Sequence, residues 1–173
     1  MNYQEILEFH GHSCPGVAMG YRMSCAAMDR LNEVRSEDEE VVAIVENDAC
    51  GVDALQCVTG CTFGKGNLIF HDYGKQVYTL FSRQTGRGIR VLYHGNDIPD
   101  DAKKDRESFA TWILEGPEEA MMTITEVTIE PPQMAQRRKS LVCSQCNELV
   151  MDTKAKTIDD QTFCIPCASK LNV

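Results

Sequence analysis

Residues 47–67 read NDACGVDALQCVTGCTFGKGN, and the rest of the chain is organised around this stretch. A helix over residues 51–60 turns by about 100° per residue, which places four nearby side chains within about 80° of arc. They are Cys50, Asp53, Cys57 and Cys61. The stretch therefore predicts a helix with three thiols and a carboxylate on one face, ending in a glycine-rich turn.

These cysteines have two interpretations. Free cysteine is a small apolar side chain that is often buried, so Cys50 and Cys57, taken singly, fit core positions better than ligand positions. Cys61 lies within TGCTFGKG at the end of the predicted helix, where a side chain is poorly placed to fill a core. We therefore interpret Cys61 as a thiol displayed at a turn.

The composition indicates one medium-sized domain with a small appendage, because 173 residues with 43% hydrophobic content support a core over about 130 residues. The chain has no apolar run of about 18 residues and no signal-peptide pattern in MNYQEILEFH. Its nine cysteines, an odd number in two clusters, indicate thiols and metal ligands rather than disulfides. We therefore expect a cytoplasmic protein without a membrane segment.

The charge is unevenly distributed along the chain. Residues 1–130 contain 11 lysines and arginines against 22 aspartates and glutamates, a net charge of −11, whereas residues 131–173 have a net charge of +2. The negative field of the larger part repels nucleic acid. The tail has one basic triplet at residues 137–139, which a solvated linker explains better than a nucleic-acid patch. We therefore do not expect nucleic-acid binding.

The sequence around the central stretch predicts an α+β body, an antiparallel sheet with packed helices. The expected elements are helices at 3–9, 15–31 and 99–115, and strands at 41–46, 68–72, 77–82, 88–94 and 123–129. Glycine turns between the strands from 68 to 94 favour an antiparallel meander. In the second helix Gly16, Gly20 and Ser24 fall four residues apart, so another backbone can approach that side closely.

The C-terminal part contains the more specific motif. Cys143-Ser-Gln-Cys146 is followed after 17 residues by Cys164-Ile-Pro-Cys167. Two CxxC pairs at such a spacing are typical of structural zinc bound by four thiolates, although a rubredoxin-like iron site uses the same ligands. Four protein ligands leave no open position, so we expect no catalysis at this site.

The domain boundaries follow from this motif. A segment of about 30 residues has too few apolar groups to fold alone, and zinc binding contributes on the order of 10 kcal/mol. Pro131 and Pro132 end the body, and the polar segment after them has no apolar period. We predict a metal-binding core at 1–130, a linker at 131–140 and a small zinc-ribbon or treble-clef-like domain at 141–173.

A second ligand group is expected near the N-terminus. His12 and Cys14 form an H-x-C pair in a glycine-containing loop, and such a pair presents an imidazole and a thiolate to one metal ion. Cys61 would be the third ligand. Three protein ligands leave the fourth position open for water or substrate, which is the arrangement of a catalytic zinc site.

The two sequence blocks GHSCPG, with Gly20 and Arg22 after it, and DACGVDALQCVTGCTFGKGN resemble the FmdE family of formylmethanofuran dehydrogenase proteins over about residues 5–130. The resemblance implies an α+β core, usually dimeric, with a metal-binding cleft between the two blocks. The motif positions that it implies are His12, Cys14, Asp53, Gln56, Cys61, Lys65 and Asn67. It assigns no role to Cys57, and it does not place the chain in a molybdenum or tungsten enzyme complex.

Roles for the remaining residues can be argued from their chemistry. We expect Asp53 to orient His12 or to ligate the metal directly. A lysine such as Lys65 beside a thiolate favours metal binding or nucleophilic chemistry. We interpret His10 first as a helix-end residue and only second as a ligand.

Several functional hypotheses remain open. The chain is an enzyme subunit or accessory protein of one-carbon or redox metabolism, or it is a metal carrier, sensor or adaptor whose zinc domain binds a protein partner. The same groups also fit thiol chemistry, with Cys14 or Cys61 as the nucleophile beside His12. A phosphate loop is excluded, because Thr59 and Gly66 stand where a Walker sequence needs glycine and Ser or Thr.

Overall fold

The computed structural model describes residues 2–171, which form two compact units, one ending at Ala135 and the other beginning at Gln136. The helices of the first unit are α1 (Tyr3–His10), α2 (Pro15–Leu31), α3 (Gly51–Thr59), α4 (Arg106–Glu115) and α5 (Glu118–Met121). Its strands are β1 (Val41–Val45), β2 (Leu68–Phe70), β3 (Val77–Ser82), β4 (Gly88–Tyr93) and β5 (Met122–Val127). The predicted α+β class is confirmed, and no described helix is long and apolar enough to cross a bilayer.

The strands form one sheet in the order β2-β1-β3-β4-β5. β3, β4 and β5 form an antiparallel meander, and β1 pairs antiparallel with β3. The predicted meander of the three strands from 68 to 94 is wrong for β2, which pairs in parallel with β1 at the sheet edge, with Ala43 opposite Leu68. A parallel pair needs a crossover connection, and α3 lies within the one that joins β1 to β2.

Local signals explain the helix boundaries. Asn2 and Glu5 form a capping box at the start of α1, and Gly11 ends this helix in the left-handed conformation at φ 94°. The helix predicted at 99–115 begins only at Arg106, because the Asp105 side chain caps it by accepting from the Ser108 N–H at 2.8 Å. The short helix α5 was not predicted.

The core lies between the sheet and α2. Its largest fully buried side chains include Tyr78, Met23, Leu31, Leu55 and Leu80. The apolar runs of β1 and β3 are buried along nearly their whole length, which is expected of strands in the middle of a covered sheet. A second, smaller cluster under α1 consists of Ile6, Cys14, Val17, Ala54 and Cys57.

The first half of the predicted linker is bound to the core. Arg83 donates from Nη1 to the Pro132 carbonyl at 2.6 Å and from Nη2 to the Gln133 carbonyl at 3.1 Å. The Ala135 N–H donates to a Glu39 carboxylate oxygen at 3.0 Å. Residues 131–135 therefore belong to the first unit, and the division between the units falls after Ala135.

The second unit is built from two β-hairpins and a short helix. Its elements are β6 (Ser140–Val142), β7 (Leu149–Met151), β8 (Ala155–Ile158), β9 (Gln161–Cys164) and α6 (Ile165–Ala168), with 3₁₀ turns at Asp152–Lys154 and Ser169–Leu171. β6 pairs with β7 and β8 with β9. Its small buried cluster consists of Cys143, Phe163, Cys167 and Ala168. Half of this cluster is cysteine, so the unit has little apolar core of its own.

Candidate metal centres

Three potential ligands meet in the first unit where three helices begin or end. His10 is the last residue of α1, Cys14 is the N-cap of α2, and Cys50 immediately precedes α3. Each offers one ligand atom, and these atoms all lie within 4.8 Å of one another. An imidazole and two thiols at this separation form a group that fits a transition metal.

Glycines allow these helix ends to approach. A Cβ built on Gly20 would lie 2.1 Å from the Gly51 carbonyl oxygen, so α2 and α3 are in backbone contact. A Cβ on Gly16 would lie 3.1 Å from Cys50 Cβ. The predicted close approach of another backbone to the glycine side of α2 is therefore observed, and the approaching backbone is α3 of the same chain.

His10 is held in the orientation that a ligand needs. Its Nδ1 lies 2.7 Å from Asp53 Oδ2, and its side chain is 10% exposed. Its Nε2 is buried and has no hydrogen-bond partner among the described residues. A neutral imidazole that donates from Nδ1 to a carboxylate has its lone pair on Nε2, which is the arrangement of carboxylate–histidine–metal triads. The unpartnered nitrogen therefore fits a metal ligand.

The two thiols differ in exposure. Cys14 is buried, and its Sγ accepts the Val17 N–H at 3.4 Å, whereas Cys50 is exposed. Desolvation of the Sγ, and then the neighbouring Cys14 thiol, raise the pKa of Cys50. Two adjacent thiolates repel each other, so ionisation of both thiols is unfavourable without a cation. A cation bound between them offsets this repulsion and favours ionisation of both.

The hydroxyl of Tyr78 lies close to Gly51, the first residue of α3. Tyr78 is 1% exposed, and a Cβ on Gly51 would lie 2.5 Å from its hydroxyl oxygen. Burial raises the pKa of Tyr78, and the nearby Cys50 and Asp53 raise it further. The hydroxyl therefore stays neutral beside the ligand group.

Of the residues predicted to ligate here, the structure brings only Cys14 into the group. His12 is exposed, with its ring centroid 4.6 Å from that of His10. Cys61 is fully buried and donates from Sγ to the Val41 carbonyl at 3.3 Å, so its interpretation as a displayed thiol is corrected. Asp53 contacts His10 rather than His12, the histidine it was predicted to orient.

The other motif positions of the glycine-rich exit make structural contacts. Lys65 donates from Nζ to the carbonyls of Ser36 and Glu37 at 3.3 and 3.2 Å. The Asn67 side chain donates to the carbonyls of Asp38 and Val41, both at 2.9 Å. Lys65 and Asn67 attach the segment after α3 to the segment before β1. These two motif positions therefore have a structural role and do not belong to the ligand group.

Cys50 was not predicted as a member of this group, and His10 was interpreted first as a helix-end residue and only second as a ligand. Cys50 was placed on the face of α3, but it precedes the first helical residue and is exposed at the helix start. His10 belongs to the last turn of α1, and the chain changes direction at Gly11 before it reaches Cys14. An H-x-H-x-C run at a glycine-containing helix end was the available signal.

A cavity of about 190 Å³ adjoins this group. Val45 and Val52 form its buried apolar part, and Phe63 and Phe70 form its exposed aromatic walls. Asp53 lines the same cavity, with its side chain 40% exposed. One carboxylate thus contacts the His10 imidazole and a cavity of small-molecule size.

The second unit brings its four cysteines together, as the spacing predicted. The four Sγ atoms of Cys143, Cys146, Cys164 and Cys167 lie within 4.8 Å of one another. Asn147 follows the first pair in the left-handed conformation at φ 60°, and its N–H donates to the Cys143 carbonyl at 2.9 Å. The second pair lies at the start of α6. Two knuckles facing each other form a closed four-thiol site.

Backbone donors favour ionisation of one of these thiols. The N–H groups of Cys146 and then Cys164 donate to the Cys143 sulfur and lower the pKa of Cys143 to about 6. Hydrogen bonding with Cys164, together with desolvation, raises the pKa of Cys167 to about 12. Without a cation the cluster therefore cannot hold four thiolates at neutral pH, and a divalent ion is needed to ionise it fully.

The fold and the two ligand groups define a metal-binding protein with an α+β core and a small four-cysteine unit. A family model described as "FmdE, Molybdenum formylmethanofuran dehydrogenase operon" matches residues 9–141. The chain belongs to the FmdE family, as the sequence resemblance predicted.

Two known proteins are similar over nearly the whole chain. An Archaeoglobus fulgidus protein named "Probable S-adenosyl-L-methionine-binding protein" is 33% identical over 93% of this chain, and the chain spans half the length of that relative. The crystal structure of a tungsten formylmethanofuran dehydrogenase FmdE-like protein from Syntrophus aciditrophicus matches with a TM-score of 0.74 and 26% identity. That match covers 98% of this chain and 94% of the other.

Proposed function

We propose that the first unit holds one transition-metal ion through His10 Nε2, Cys14 Sγ and Cys50 Sγ, and that this ion is zinc. The observation that supports this most strongly is the buried Nε2 of His10, which has no hydrogen-bond partner among the described residues although Asp53 fixes the same ring through Nδ1. A buried imidazole nitrogen without a partner costs free energy that a metal bond would recover. One nitrogen and two sulfur ligands suit zinc.

An open fourth position would make this a site for small-molecule chemistry. A zinc ion with three protein ligands acts as a Lewis acid on a molecule that occupies the remaining position. The cavity beside Asp53 provides space for such a molecule. The proposed role is therefore an enzyme subunit or accessory protein, in one-carbon or redox metabolism as the family suggests.

The second unit would hold a structural zinc ion. Its buried cluster has only Phe163 and Ala168 besides Cys143 and Cys167, which is too little apolar surface to fold about 35 residues without a metal. Four thiolates leave no open position. Leu149 and Met151 on β7 are exposed, which would suit contact with a protein partner.

The alternative for the first unit is a non-catalytic metal carrier or sensor. Cys50 is exposed, so the ion would be accessible for exchange with another thiol ligand. The fourth ligand separates the alternatives. X-ray absorption spectroscopy of the zinc-loaded protein would show an exogenous oxygen ligand for an open site, or a fourth protein ligand for a carrier or sensor.

A second candidate function is binding of S-adenosylmethionine, the ligand named for the Archaeoglobus relative. The alignment with that relative extends over 93% of this chain, which favours it. Equilibrium dialysis of the full chain with S-adenosylmethionine tests this candidate directly. Absence of binding would contradict this candidate.

We also propose that the chain forms a homodimer and resides in the cytoplasm. A homodimer follows from the family resemblance, while the glycine side of α2 is occupied by α3 and does not provide the interface. All nine cysteines are free thiols, which suits the reducing cytoplasm. Analytical ultracentrifugation at several concentrations would test the dimer.

Metal content of the full chain tests the proposed centre. We expect two zinc ions per chain in the unaltered protein and one in His10→Ala, Cys14→Ser and Cys50→Ser, measured by ICP mass spectrometry. Cys25→Ser is the matched control and should keep both ions. A Cys61→Ser protein that lost the core ion while Cys50→Ser kept it would overturn the assignment and support the ligand set predicted from the sequence.

A further inference from the structure

The cavity beside Asp53 has features that the metal proposal does not explain. It lies at the edge of the sheet, between the end of β1, the start of α3 and the loop before β2. Its volume of about 190 Å³ is below the about 300–1,000 Å³ of sites for drug-sized molecules. It therefore suits a small head group rather than a whole cofactor.

The charge of the lining selects a ligand class. Asp48 and Asp53 both line the cavity, and none of the described residues that line it is a lysine or an arginine. Asp53 accepts a hydrogen bond from His10 Nδ1 at 2.7 Å. The cavity is therefore negatively charged and repels carboxylates and phosphates.

The walls add a second, independent feature. The side chains of Phe63 and Phe70 line the cavity and are 65% and 38% exposed, although phenylalanine is ordinarily buried. Aromatic faces next to carboxylates attract organic cations, and quaternary ammonium groups in particular bind to such surfaces. A strongly hydrated inorganic cation would have to shed bound water to contact the phenyl rings, whereas an alkylated onium group can contact them directly.

We propose that this cavity binds the onium group of a small organic cation, a quaternary ammonium or a sulfonium, beside the His10, Cys14 and Cys50 group. Phe63 and Phe70 contact the alkyl groups, and Asp48 and Asp53 supply the opposite charge. That the onium compound is a substrate of the metal site rests on the proposed function. That it binds in the cavity does not depend on the metal.

A pair of ligands with nearly the same shape tests the charge requirement. Choline and its neutral analogue 3,3-dimethylbutan-1-ol differ in one atom of the head group. We expect the metal-loaded full chain to bind choline in saturation-transfer NMR and calorimetric titrations, and to bind the neutral alcohol about twofold to thirtyfold more weakly, since a charge on an aromatic face is worth about 0.5–2 kcal/mol. Equal binding of the two, or no binding of choline up to tens of millimolar, would overturn the proposal.

Variants locate the binding in the cavity. Asp48→Asn and Phe70→Leu should each weaken choline binding about threefold to tenfold. Asp97→Asn, which removes an exposed carboxylate elsewhere, should leave it unchanged. Loss of choline binding in Asp97→Asn as large as in Asp48→Asn would mean unspecific attraction to an acidic protein and would contradict the site.

Two further measurements distinguish ammonium from sulfonium ligands, and failure of the onium proposal from failure of the metal proposal. Tetramethylammonium and trimethylsulfonium ions, compared in the same titration, show which onium centre fits better. Zinc content measured on the same samples tests the metal proposal independently. Zinc binding without onium binding would support the metal centre and overturn the onium proposal. Onium binding to a first unit that contains no zinc would support the onium site and contradict the metal centre.

Discussion

A Cβ added to Gly20 would lie 2.1 Å from the carbonyl oxygen of Gly51, so the backbones of α2 and α3 touch at this point. This contact fixes where α3 begins relative to α2. It thereby places Cys50 beside Cys14 and creates the ligand group of the first unit.

The first prediction concerns that contact. Gly20→Ala should lower the free energy of unfolding by about 1–3 kcal/mol or more, because the added methyl group forces the two backbones apart. The core metal should be lost while the second unit keeps its ion. Urea unfolding and metal content measure both effects. Gly64→Ala, where an added Cβ would contact nothing within 4 Å, is the matched control and should change neither.

The second prediction concerns the carboxylate behind His10. Asp53→Asn should reduce the zinc affinity of the first unit about tenfold to a hundredfold, because an amide orients the imidazole less firmly and adds no charge. Competition with a chelator of known affinity gives the value. Asp48→Asn changes a carboxylate that lines the same cavity and makes no hydrogen bond to His10 among the described residues, and it should leave the affinity nearly unchanged. Equal affinity in Asp53→Asn and the unaltered protein would contradict the role of Asp53.

The third prediction concerns pH. A raised pKa keeps Cys50 protonated at neutral pH in the metal-free protein, so zinc binding must release its proton. The apparent affinity of the first unit should therefore rise with pH as long as the pH is below the pKa of Cys50, and fall on acidification. Calorimetry in buffers with different ionisation enthalpies should show at least one proton released per core zinc ion. A pH-independent affinity would exclude Cys50 as a ligand.

The fourth prediction concerns Arg22, which lies in α2 and caps the C-terminus of α4. Its guanidinium donates to the carbonyls of Ile113 at 2.8 Å, Leu114, and Gly116 at 3.1 Å. Arg22→Lys should lower the free energy of unfolding by about 1–3 kcal/mol, because an ammonium group cannot reproduce the planar fork and leaves partly buried carbonyls with fewer donors.

Arg30→Ala is the control for Arg22. Arg30 pairs with Glu118 at 2.6 Å, but its side chain is 49% exposed, so its loss should cost less than about 1 kcal/mol. Chemical denaturation of the two variants gives the comparison. An Arg30→Ala protein less stable than Arg22→Lys would contradict the capping interpretation.

The fifth prediction concerns independence of the units. Cys143→Ser should unfold the second unit, because a three-thiol site binds zinc less tightly and the remaining core is too small. The first unit should stay folded and keep its metal. Two-dimensional NMR distinguishes the two sets of resonances. Loss of the dispersed resonances of the first unit in this variant would show that the units fold together.

Much of this protein was accessible from sequence because the relevant signals are local. The start of α2 at Pro15, the end of α3 before Gly60 and the apolar run of β1 depend on neighbouring residues only. The four cysteines of the tail were found for the same reason, since each CxxC pair forms one knuckle from residues that are close in sequence.

The sequence by itself determined the α+β class, most of its elements, the family and the four-cysteine cluster. Only the tertiary structure decided that β2 pairs with β1 at the sheet edge, since strand pairing depends on where the chain returns after α3. It also decided that His10 and Cys50, rather than His12 and Cys61, lie with Cys14. Ligand sets formed across helix ends depend on how closely the helices approach, and here that distance is set by the backbone contact between Gly20 and Gly51.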